Sequence, residues 1–179
     1  MMSAAMLGES GESRVAATTV SPGGYSFQDH VNRGIVANLL KDGSKSWDWV
    51  VLQDQSQIPG FGPGNREFDQ SLAAVLDLNE LAATAGAKTV FLMTWGYRNG
   101  DSRNSDLYPN YKATQRELRD GYIRYVQNTS TNSRPTKVAP VGKAYEALFL
   151  FSPNPLESQS DFYKCTKTMA ATQARGVAI

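Results

Sequence analysis

Residues 47–60 read WDWVVLQDQSQIPG, and the rest of the chain is best read outward from them. Trp47 to Leu52 is almost wholly apolar and rich in aromatic and β-branched residues, the composition of a buried strand. The character changes at Gln53. A polar quartet, Gln53, Asp54, Gln55 and Ser56, leads into a Pro59-Gly60 turn. Parallel sheets covered by helices bind ligands in the loops that leave the carboxyl ends of their strands, so this quartet lies where such a sheet places a site.

On both sides of this stretch the pattern alternates between two periods. Arg14 to Val20 reads as a short strand ended by Ser21-Pro22-Gly23-Gly24. Phe27 to Leu40 reads as a helix, with Phe27, Val31, Ile35 and Leu39 on one face and Ser26 able to cap it. Phe68 to Ala85 is a longer helix, with Phe68, Leu72, Val75, Leu76 and Ala83 on its apolar stripe and Gly86 as its stop. Lys88 to Met93 is a strand, Tyr111 to Val126 a helix, Lys137 to Val141 a strand, and Gly142 to Phe151 a helix. Near-continuous apolar strands alternating with helices predict an α/β domain with a parallel sheet covered on both faces.

The whole-chain numbers fit one such domain and narrow the chemistry. The chain has 179 residues, long enough for a sizeable core. Lys and Arg number 18 against 17 Asp and Glu, a net charge of +1, so no strong field recruits nucleic acid or an anionic membrane surface. No apolar run reaches membrane-spanning length. A single cysteine, Cys165, and a single histidine, His30, exclude an internal disulfide framework and Cys- or His-rich metal sites. No phosphate-cradling glycine motif follows any strand, which disfavours nucleotide binding, and no cofactor is expected. The N-terminal MMSAAMLGES lacks a basic region and does not read as a signal peptide, so it assigns no compartment.

Three loops converge on the rim of this sheet: Gly23-Gly24, Gln53–Ser56, and Trp95–Asp101 (WGYRNGD). They offer backbone and amide donors, glycines that allow close approach, and aromatic surface. The backbone N–H at Gly24 and the side-chain amide of Gln55 can form an oxyanion hole, which stabilises the tetrahedral intermediate of acyl transfer.

Four blocks, in order, then carry a family resemblance: TTVSPGGYSFQDHV, WDWVVLQDQSQIP, AGAKTVFLMTWGYRNGD and KVAPVGKAYEAL. Together, over residues 14 to 150, they resemble a branch of the SGNH (GDSL-type) hydrolases. The resemblance implies a three-layer flavodoxin-like fold and an esterase or lipase-type acyl hydrolase acting on a small-molecule ester or glycan substrate. It places the oxyanion glycine at Gly24, with Gly23 beside it. Gln55 takes the place of the family's asparagine and keeps an amide donor on a longer arm.

The departures are specific. The family's nucleophilic serine lies in a G-D-S or G-N-S turn after the first, central strand, and a crossover helix follows. Gly8-Glu9-Ser10 mimics that turn, but Ser10 stands only four residues before the strand at Arg14, too close for a crossover helix. Met1 to Leu7 reads instead as the tail of such a helix, and the first, central strand is expected to be missing. The family's D-x-x-H motif is absent from residues 152–179. His30, on the helix after Gly24, reads as a structural or surface histidine. No catalytic residue is therefore identified, and the chain is expected to be an incomplete hydrolase domain, inactive alone. The alternative is a non-catalytic module that keeps the rim to bind a carbohydrate or a protein. Asp54 and Ser56 read as rim contacts or as residues that order the loop. Trp95 and Tyr97 read as stacking surface for a sugar or as packing over the sheet edge, and Asp101 as a turn residue.

From Cys165 the composition shifts to small residues and threonine, with no acid and no periodicity. Read one base out of register from the third base of the Cys165 codon, these residues permit Y-K-D-D-G-S-H-P-S, which contains D-x-x-H. The expectation is a partial hydrolase-like domain over residues 1–164 and a tail over 165–179 that a one-base slip would explain.

Overall fold

In the computed structural model, residues 3–6 and 15–166 are described, the first group as backbone. Strands β1 (Ser3–Met6) and β2 (Val15–Thr18) form an antiparallel pair in which Ser3 faces Thr18 and Met6 faces Val15. Ser3–Met6 is therefore not the tail of a helix. The strand expected over Arg14–Val20 is present, but it pairs with this nearby partner and not with the parallel sheet. A short connection suffices for an antiparallel pair, whereas a parallel one needs a crossover of a dozen residues or more. Gly8-Glu9-Ser10 lies outside the described residues. So does the segment from residue 165 onward, apart from Cys165 and Thr166.

The second sheet is parallel and has the order β3 (Trp49–Leu52), β4 (Lys88–Leu92), β5 (Lys137–Ala139). Its register, Val51 opposite Val90 and Val90 opposite Lys137, sets the two faces. Val50, Leu52, Phe91 and Val138 lie on one face and pack into the core with Phe27, Phe68, Val75, Leu78, Tyr122 and Tyr125. Tyr125 sits at the centre of this cluster. Its ring stacks on Phe68 at 5.6 Å and meets Phe27 edge-on at 5.5 Å; such pairs are each worth about 0.5–1.5 kcal/mol beyond area burial. Trp49 and Val51 lie on the other face and are 44% and 55% exposed. Full burial of this strand was expected from its composition. Among the described residues no element covers these two side chains, although helices flank the sheet as the fold class requires.

Helix α1 (Phe27–Arg33) begins with a capping box between Ser26 and Asp29. It ends at Gly34, whose φ of 65° is left-handed, and α2 (Ile35–Lys41) starts there. One helix was expected over this span. The glycine break turns the face, so that Val36 packs on the core while Ile35 is 41% exposed. A single turn, α3 (Ile58–Phe61), occupies the expected Pro-Gly turn. Helix α4 (Arg66–Thr84) is capped by Asn65 and buries Phe68, Ser71, Val75, Leu78 and Ala82, leaving Leu76 on the outer face. Helix α5 (Tyr111–Thr129) is capped by Asn110, and α6 (Val141–Phe151) follows β5 directly. A last helical turn spans 161–166. Among the described residues, no helix is long and apolar enough to cross a membrane.

Candidate functional site

The turn Pro22-Gly23-Gly24-Tyr25 closes through the Tyr25 N–H to the Pro22 carbonyl at 3.4 Å. Gly24 stands at the third position with φ 77°, which favours glycine there. Gly23 and Gly24 both present open space where a side chain would sit. Behind this turn lies Asp54, only 1% exposed. Its Oδ1 accepts from the Phe27 N–H at 3.0 Å and the Gln55 N–H at 2.9 Å, and its Oδ2 accepts from Ser71 Oγ at 2.6 Å and the Tyr125 hydroxyl at 2.7 Å. Burial pushes this carboxyl above its ordinary value, against the pull of those hydrogen bonds. One carboxylate thus ties the start of α1, the loop after β3, α4 and α5 together. Asp54 supports the rim from beneath and does not line it.

Gln55 is the next residue and is half-buried. Its Oε1 accepts from the Gln57 N–H at 2.7 Å and more distantly from the Ile58 N–H at 3.4 Å, at the entry to α3. The carbonyl end being used this way, the amide NH2 is the end that can donate to a ligand. Gly24 and Gln55 line the same cleft, of about 330 Å³, with Ser26, Gln28, Gln57, Phe61 and Gln70 among its walls. Two residues thirty-one positions apart in sequence are thereby brought to one opening.

The remaining rim residues lie elsewhere. Ser56 Oγ and the Tyr97 hydroxyl form a 2.6 Å hydrogen bond that joins the loops after β3 and β4. Trp95 is 8% exposed and stacks on Tyr145 at 4.9 Å, so its ring is packing surface. Gln57 donates to Asp101 Oδ2 and accepts from Asn104 Nδ2, and its backbone carbonyl accepts from the Tyr108 hydroxyl at 2.7 Å. Asp101 also caps the 3-10 turn Ser102–Asn104, and its hydrogen bonds, led by that to the Arg103 N–H, hold its carboxyl below the ordinary value. The sequence pattern did not reveal this Gln57–Asp101–Asn104 network. Gln57 is forty-odd residues from the other two, and no local spacing signals the link.

His30 packs edge-on against Tyr25 at 5.3 Å. Burial lowers its pKa, and the Asp29 charge opposes that shift only in part. Among the described residues no serine hydrogen-bonds to its ring. Ser26, the serine nearest to it in sequence, exchanges hydrogen bonds with Asp29 as the cap of α1. Among the described residues, no group of three or more His, Cys, Asp or Glu side chains could hold a metal ion.

No family model matches the sequence, and no curated protein matches it either. Among solved structures the chain is similar to one described as "a putative SGNH hydrolase from Slackia heliotrinireducens", with 22% identity and a TM-score of 0.51. The similarity covers 70% of this chain and 64% of that one, so this chain spans less than two thirds of its neighbour. The likeness shows the fold, a parallel sheet flanked by helices of the flavodoxin-like kind shared with that neighbour.

Proposed function

We propose that the cleft between Gly24 and Gln55 is the oxyanion side of an acyl-ester hydrolase site, and that residues 1–179 alone do not turn over esters. The observation that carries this reading is that the Gly24 turn and Gln55, which follows β3, line one cleft. The SGNH name of the structural neighbour agrees with it. The inactivity follows from the other half of the chemistry. A serine nucleophile needs a base within hydrogen-bond reach. The only histidine packs on Tyr25 without bonding a serine of the described structure. Oxyanion donors without a triad retain only a residue of triad catalysis.

The test is covalent labelling with a fluorophosphonate probe together with a panel of aryl esters. No labelled serine and no hydrolysis above buffer are expected. Labelling of one specific serine would remove the claim of inactivity.

A second reading is favoured by the walls of the same cleft. The glutamines at 28, 55, 57 and 70 with Phe61 make an amide-rich lining beside an aromatic ring, which suits the hydroxyls and apolar face of a sugar. Calorimetric titration with neutral oligosaccharides separates the two. Sugar binding that Gln55→Ala abolishes, with no esterase activity, selects the binding module.

A further inference from the structure

We propose that the crevice between the loop after β4, the start of α5 and the end of α6 is a second ligand site, and that it takes an amphipathic carboxylate. This goes beyond the reading of the Gly24–Gln55 cleft and does not depend on it. The crevice has a volume of about 370 Å³, towards the small end of the ligand-pocket range, and Arg98, Asn110, Tyr111, Lys112, Phe149 and Leu156 line it.

Its polar side carries two cations, Arg98 and Lys112. Arg98 stacks its guanidinium 3.9 Å from the centroid of the Tyr163 ring and makes one long contact, Nη1 to Thr166 Oγ1 at 3.4 Å. Its Nε is buried with no hydrogen-bond partner. Tyr111 is 2% exposed, and its hydroxyl is likewise buried without a partner. Buried donors left unpaired are uncommon and costly, and two of them belong to residues bordering one crevice. The ion pairs among the described residues involve Arg103, Arg116 and Arg119, so among those residues no carboxylate is paired with Arg98 or Lys112. The crevice also meets the start of α5, a 19-residue helix. Asn110 caps it through the Ala113 N–H, and the N–H groups of Tyr111 and Lys112 add positive potential at that end. One acid opposes this arrangement. Burial raises the Tyr111 hydroxyl above its ordinary value, and the charge of Glu146 on α6 adds to that shift.

Its other side is apolar. Phe149 stacks on Tyr111 at 4.6 Å, and Leu156 is 52% exposed at the opening. A bare inorganic anion would leave that wall wet, and a neutral apolar molecule would leave the donors unpaired. A carboxylate carrying an aryl or short alkyl body satisfies both.

The experiment titrates the full chain by calorimetry with 4-phenylbutyrate and with its neutral amide, in low and high salt. The carboxylate is expected to bind, more weakly in high salt, and the amide at least tenfold more weakly still. Lys112→Gln and Tyr111→Phe should each weaken the carboxylate by roughly three- to tenfold, the worth of one charge or one hydrogen bond. Tyr111→Phe should leave the melting temperature of the unliganded protein unchanged or higher, because it removes a hydroxyl that has no partner. Gln55→Ala should leave carboxylate binding intact, which separates this site from the proposed oxyanion cleft. Equal binding of acid and amide overturns the proposal. So does indifference of the carboxylate to both Lys112→Gln and Tyr111→Phe, or its loss in Gln55→Ala.

Discussion

Asp54 ties four separate segments of the chain together. Its two oxygens accept four hydrogen bonds inside a core that includes Phe27 and Tyr125. Asp54→Ala leaves all four donors without their acceptor and is expected to cost more than ~3 kcal/mol, measured by urea unfolding. The pH dependence has a definite sign. Burial raises the folded carboxyl above its ordinary 3.8, so the folded protein keeps the proton to higher pH than the unfolded chain does. That contribution is fully present below pH 3.8 and is lost as pH rises through the folded value. The stability gap between the wild type and Asp54→Asn should therefore narrow as pH rises across this window; a gap that widens would contradict the assignment. His30 runs the other way. Its folded pKa is depressed below 6.5 by burial, so its contribution is present above 6.5 and is lost as pH falls through the depressed value. As the only histidine, it gives one unambiguous ring-proton titration by NMR, with an expected midpoint below 6.5; a midpoint at or above that value would refute the burial argument.

Among the described elements, α3 and α5 cross closely. A Cβ at Gly121 would run into the Pro59 carbonyl, and one at Gly60 would meet the Tyr108 hydroxyl. Gly121→Ala gains about 1 kcal/mol of helix propensity but forces this crossing apart. A net loss of roughly 2 kcal/mol is expected, seen as a fall in Tm of about 4–8 °C; an unchanged Tm would mean that the crossing yields easily. This scale also shows what was legible in the sequence. The positions of β3, β4, β5 and the long helices follow from periodicity, because Phe68, Leu72 and Val75 repeat at helical spacing and Val50 to Leu52 do not. The break at Gly34 was not read, since the apolar pattern Phe27, Val31, Ile35, Leu39 runs smoothly through it and only the left-handed φ reveals it. Pro59-Gly60 reads as a turn in the sequence. Tertiary contact with α5 makes it one turn of helix. At the site, the rule for strand ends and the family resemblance put Gly24 and Gln55 together; they line one cleft, although the strand before Gly24 is not part of the parallel sheet. The roles of Asp54 and Trp95 were harder to read, because whether a polar or aromatic residue at a strand end looks outward or inward depends on partners seventy and fifty residues away.

For the molecule as a whole, the parallel sheet has one well-packed face and one with exposed apolar side chains. Trp49 and Val51 stand exposed on the strand that ends the sheet order at β3, with Lys88 and Lys137 reaching over the Trp49 ring at 5.2 and 5.7 Å. An exposed edge with apolar side chains invites association. Residues 1–179 are expected to self-associate as concentration rises, followed by sedimentation velocity, and Val51→Lys should reduce that association without loss of the thermal transition. A protein that stays monomeric at millimolar concentration, with Val51→Lys no different, would show that this face is innocuous.

The donors to Asp54 come from positions 27, 55, 71 and 125, which has a consequence for the order of assembly. During synthesis the first three leave the ribosome well before Tyr125. Until that hydroxyl arrives, closing α1 and α4 over the loop after β3 would strand a partly satisfied carboxylate away from water, so hydration holds the growing chain open. Parallel pairing adds the same delay, since Val90 must wait for Lys137. Nascent chains halted before residue 125 should remain protease-sensitive, and protection should rise abruptly once α5 is complete: the buried acid acts as a checkpoint that times collapse to the arrival of its last donor.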